Sequence, residues 1–72
     1  MVTVRLFAAA REAAGAEVLE VAAGPLRLPD LGPRFDRVVA MSTLLCDGLR
    51  IAPGDAVADG AVVDVLPPFA GG

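Results

Sequence analysis

The sequence contains no histidine, lysine, tryptophan or tyrosine, and its one cysteine is Cys46. Without histidine the commonest general base and metal ligand are missing, which argues against a hydrolytic triad or a zinc site. A single cysteine cannot close an internal disulfide. A lone thiol in a chain without a secretory leader fits a reducing compartment, so a cytoplasmic location is expected. The opening MVTVRLF meets Arg5 before any apolar signal region develops, so no signal peptide is expected there. The longest charge-free run, Val38 to Cys46, is far shorter than the roughly 18 to 20 residues that span a bilayer, and no membrane partner is expected. All six basic residues are arginine, set against nine Asp and Glu for a net charge of −3. Phosphate binding needs clustered positive charge, so nucleic acid is not expected as a partner either.

What is present is small and apolar. Seventy-two residues allow one domain. Fourteen Ala and ten Val stand against three Phe and one Ile, so the core is assembled from small side chains and its stability is expected to be modest.

Hydrophobic periodicity orders the chain. In VTVRLF, residues 2 to 7, Val2, Val4 and Leu6 share one face and Thr3, Arg5 and Phe7 the other, the pattern of a half-buried strand. Ala8 to Ala14 form a short helical turn that Gly15 ends, and Glu17 to Val21 return as a second strand antiparallel to the first. From Ala22 to Pro33 the glycines and prolines make a connection. A helix follows from Pro33, with Phe35, Val38, Val39 and Met41 at helical spacing and Asp30 as candidate cap. Leu44 to Cys46, the Asp47-Gly48 turn and Leu49 to Ile51 read as a hairpin, and Ala61 to Leu66 as a central strand. The order β, β, α, then further β segments makes the fold class α+β, with one helix packed on one sheet.

The chemistry-bearing candidates are few. Asp47-Gly48, Gly54-Asp55 and Asp59-Gly60 are turns, since they lack the alternating ligands and closing Glu of a calcium loop. Cys46 sits in an apolar LLC run with no cation beside it to stabilise a thiolate and reads as a structural thiol. No metal site is expected. The domain, residues 1 to 66, gives way to a tail, 67 to 72, of sequence PPFAGG. Pro67 and Pro68 fix an extended exit, and Gly71 and Gly72 present a terminal carboxylate on residues that occupy no side-chain width. Such an end is either a frayed terminus or one shaped for a narrow channel.

Strand AVVDVL running into PPFAGG, behind an opening Phe7-Ala8 with Arg11-Glu12, resembles the ubiquitin-like β-grasp sulfur carriers and, more narrowly, the small subunits of molybdopterin synthase. The resemblance implies a β-grasp fold, a mixed sheet packed on one main helix with an extended C-terminal tail. The helix is shortened here because the middle, LRLPDLGPRF, departs from the longer helix usual in that family. The resemblance implies that Gly72, next to Gly71, is adenylated by a ubiquitin-activating-like adenylyltransferase using ATP and then converted to a thiocarboxylate. It implies no cofactor bound by this chain and no catalysis by it alone. Sulfur is then delivered to precursor Z, cyclic pyranopterin monophosphate, inside a molybdopterin synthase large subunit, the two forming a heterotetramer. Pro67, Pro68, Phe69 and Ala70 would line the tail's contact with its partners, and Phe7 with Arg11 the docking surface. Two alternatives stand beside this: a carrier for thiamine thiazole or cysteine synthesis, and a ubiquitin-like protein modifier.

Overall fold

Alternation in VTVRL builds strand β1 (Val2–Leu6), whose Val2 and Val4 are fully buried while Arg5 is exposed. The computed structural model describes residues 1–68. After β1 the chain enters helix α1 (Ala9–Ala14), which Gly15 terminates in the left-handed region at φ +71°, its N–H bonded to the Arg11 carbonyl at 2.9 Å. Strand β2 (Val18–Val21) then pairs antiparallel with β1, Val4 lying opposite Leu19. The connection that follows contributes a two-residue strand β3 (Gly24–Pro25).

Helix α2 runs over Pro33–Ala40 with Pro33 in its first turn. Asp30 does not cap it. The N-cap residue is Gly32 at φ +101°, and the Asp30 carboxylate accepts the Gly32 N–H at 3.0 Å, fixing the turn one step earlier. The residue before a proline is held out of the helical region, so the helix starts at Pro33 and no sooner. Phe35 faces the sheet, 1% exposed, with Val38 and Val39 packed beside it. Met41 is off this stripe and 65% exposed, because the helix closes here: the Met41 N–H and the Ser42 hydroxyl both bond the Val38 carbonyl.

Strands β4 (Thr43–Cys46) and β5 (Leu49–Ile51) meet through Asp47 and Gly48, both at positive φ, +47° and +85°. That geometry is a type I′ turn, for which Asp-Gly is suited. The turn is also tied to the strand beside β4 in the same sheet: the Asp47 N–H bonds the Val62 carbonyl at 2.9 Å, and its carboxylate accepts the Val62 N–H at 3.1 Å. Strand β6 (Ala56–Val57) pairs with β3 in a separate two-stranded ribbon. Strand β7 (Val62–Leu66) completes the main sheet, in the order β2-β1-β7-β4-β5. It is central, parallel to β1 and antiparallel to β4, and its Val63 and Val65 are fully buried. The sheet is mixed, α1 and α2 pack against each other, and the expected α+β architecture is the one observed.

Candidate functional site

Because β1 and β7 are parallel, they finish at the same end of the sheet, with Leu6 level with Val65. Strand β4 is antiparallel to β7 and starts at that end, Thr43 lying opposite Leu66. The tail therefore leaves the sheet between the residue that follows β1, Phe7, and the residues that open β4. Pro67 is buried and Pro68 is the first exposed residue, so the exit stays against the domain for one residue beyond β7. Phe69, Ala70, Gly71 and Gly72 lie outside the described residues.

Phe7 is half-buried at this exit. The next residue, Ala8, takes φ +50° and ψ −124°, a conformation that costs a non-glycine residue about 1 kcal/mol or more. It is held there by the bond from the Ala10 N–H to the Phe7 carbonyl at 3.0 Å, which ends β1 abruptly and fixes the Phe7 backbone beside the tail.

Arg11 was expected to share this surface. It is exposed on α1 and pairs with Glu17 at 3.2 Å, both side chains at least half exposed. The cation that stands over the Phe7 ring is Arg5, its guanidinium carbon 5.9 Å from the ring centroid. Arg5 also forms a bidentate pair with Asp64, Nε to Oδ1 at 2.5 Å and Nη2 to Oδ2 at 2.8 Å. The pair arises from register: Arg5 of β1 lies level with Asp64 of β7, on the face turned away from the helices. That carboxylate holds the guanidinium still more firmly protonated than usual. One cross-strand row, Val18, Arg5, Asp64, Leu45 and Arg50, crosses all five strands. Leu45, Val62 and Leu66 are only partly covered around it, giving the outer face an apolar ground with an ion pair at its centre.

Arg5 and Asp64 are not legible as a unit in the sequence, where 59 positions separate them. The signal was half present, since strand alternation already placed Arg5 and Phe7 on one face.

Cys46 lies on β4, packed at the margin of the core. Burial, with the neighbouring Asp47 charge adding to it, pushes its thiol pKa up. A raised pKa leaves less thiolate at any pH below it, so Cys46 is expected to react with iodoacetamide at pH 8 more slowly than free cysteine, the gap closing as pH rises. Alkylation as fast as the free amino acid would return Cys46 to the list of reactive groups. Among the described residues no cluster of Cys, Asp and Glu has the grouping to hold a metal ion, and no helix is long and apolar enough to cross a membrane.

Comparison with solved structures places the whole domain. The crystal structure of SAMP1 from Haloferax volcanii, a ubiquitin-like small archaeal modifier protein, superposes with a TM-score of 0.74 at 25% identity, covering 99% of this chain and 98% of that one. The fold is the ubiquitin-like β-grasp. No family model and no curated protein matches the sequence.

Proposed function

We propose that this chain is a ubiquitin-like sulfur carrier, the small subunit of a molybdopterin synthase, acting through the carboxylate of Gly72. The observation that supports it most is the union of a β-grasp domain with a central last strand that runs, through a buried Pro67 and an exposed Pro68, directly into FAGG. A tail leaving the middle of a rigid sheet is held at its root and free of side chains at its end, which suits a carboxylate that another protein must receive.

A carboxylate is a poor electrophile, so activation comes first. A ubiquitin-activating-like adenylyltransferase joins the Gly72 carboxylate to the α-phosphate of ATP with loss of pyrophosphate, and hydrosulfide then displaces AMP, the acyl–oxygen bond breaking as the acyl–sulfur bond forms. The resulting thiocarboxylate is a nucleophile at neutral pH: its sulfur bonds to precursor Z in a large subunit with which this chain forms a heterotetramer. Water then cleaves the Gly72 acyl–sulfur bond and returns the carboxylate, and two such carriers supply the two sulfurs of the dithiolene. The catalytic groups belong to that subunit; the small subunit contributes the sulfur and the docking surface, in the cytoplasm.

A second reading draws support from the fold neighbour, itself a small modifier protein: the activated tail acylates lysines of other proteins. Reconstitution separates the readings. The thiocarboxylated chain is mixed with a molybdopterin synthase large subunit and precursor Z, and separately with a thiazole synthase and its substrates. Dithiolene product is expected in the first mixture only. Turnover with thiazole synthase alone would move the chain to the thiamine carriers, and covalent attachment to protein lysines with neither product would make it a modifier.

A further inference from the structure

We infer that Arg5 is the docking anchor for the partner that activates the tail, and that it takes a carboxylate, an Asp or Glu set in an apolar protein surface. This deepens the carrier reading and rests on it. The guanidinium has five N–H donors. Two are used side-on by Asp64, through Nε and Nη2. Of the remaining three, one on Nη1 and the outer one on Nη2 form a second fork of the kind that binds a carboxylate with two parallel bonds.

Arg5 is half exposed while Asp64 is only 18% exposed, so the ion pair offers a partner its cation and hides its anion. An ordinary surface arginine loses much rotamer freedom on binding. Here Asp64 on one side and the Phe7 ring beneath have already fixed the group in the free protein. The surrounding Leu45, Val62 and Leu66 supply the apolar rim that excludes water from such a contact.

Charge selects the occupant. A purely apolar partner would bury three donors without acceptors, and a partner lysine or arginine would be repelled. A carboxylate satisfies the fork. Arg11 has none of this preparation, being paired in solvent with an equally exposed Glu17. Asp64 is accordingly a positioning residue, acting through Arg5.

The test measures ATP–pyrophosphate exchange by the ubiquitin-activating-like adenylyltransferase of the same organism as a function of carrier concentration, with thermal melts of each variant. Arg5→Gln is expected to raise the KM for the carrier by about tenfold to a hundredfold with kcat little changed. Asp64→Asn should raise it severalfold, by releasing Arg5. The exchanged pair, Arg5→Asp with Asp64→Arg, keeps an ion pair across β1 and β7 and is expected to melt like the parent, yet to leave KM as high as in Arg5→Gln. Recovery of KM in the exchanged pair would reduce the ion pair to a structural role and overturn the inference. So would an unchanged KM in Arg5→Gln. Exchange supported by none of the chains, the unaltered one included, would instead remove the carrier reading, and the inference with it.

Discussion

Replacing Gly71 with valine is expected to slow activation of the tail by about a hundredfold or more, while the melting temperature stays where it is. The two halves of this result have separate causes. Adenylation requires the carboxylate carbon to sit within reacting distance of the α-phosphate, and displacing a reacting group by about 1 Å already costs on the order of a hundredfold. Valine adds a branched side chain that restricts the backbone angles open to glycine and widens the segment that must enter the enzyme. Stability, by contrast, is expected to rest on the core found among the described residues, whose side chains run from Val2 to Val65, with β7 closing at Leu66. Intact-mass measurement after incubation with the activating enzyme, ATP and a sulfur donor reads the outcome directly, as replacement of one oxygen by one sulfur. Deletion of Gly72 should give no replacement at all. Equal thiolation of the Gly71→Val chain would show that the tail does not thread a narrow channel, and equal thiolation after loss of Gly72 would mean that the terminus is not specific.

Most of the domain was legible in the sequence because most of its signals are local. Alternation in VTVRL, the left-handed stop at Gly15, the Asp47-Gly48 turn and the apolar run before Leu66 each depend on a few consecutive residues, and each element stands within a residue or two of its expected place. What escaped was long-range. The ribbon of Gly24–Pro25 with Ala56–Val57 is two residues wide on each side and leaves no periodicity to read. Asp30 carries the residue type of a cap, but the Gly-Pro that follows moves the helix start beyond its reach as N-cap. The surroundings of Phe7 were only half legible for the same reason. Phe7 could be singled out on its own, whereas its partner depends on Arg5 meeting Asp64 from 59 positions away, and that needs the parallel register of β1 with β7. Arg11, named from its place in the motif, pairs with Glu17 on the exposed side of α1.

Phe35→Ala is expected to remove about 3 to 5 kcal/mol of stability, the largest loss from any single truncation in this core. The reason lies in what the core is made of. Around Phe35 it consists of Val2, Val4, Leu6, Ala10, Val63, Val65 and similar small residues, and Phe35 is the largest side chain buried among them, 1% exposed. Its ring spans the gap between α2 and the sheet, and no small neighbour has the reach to fill the cavity left by alanine. Helix α2 has only eight residues, too few to persist in water without packing, so loss of the ring loosens the whole helix. A domain of this length has about 4 to 11 kcal/mol in total, which makes the variant marginally folded and lowers its melting temperature by about 12 °C or more. Urea titration followed by circular dichroism measures the loss. Phe35→Leu keeps most of the volume and should cost only about 1.5 kcal/mol or less. If the alanine variant lost no more than the leucine variant, the core would be closing around the cavity, and the sheet and α2 would be held together by the many valine contacts and not by one ring. The two large effects then differ in kind: Gly71→Val gives a folded chain that cannot be activated, whereas Phe35→Ala loses activation in proportion to the fraction unfolded and regains it on cooling toward the temperature of maximum stability.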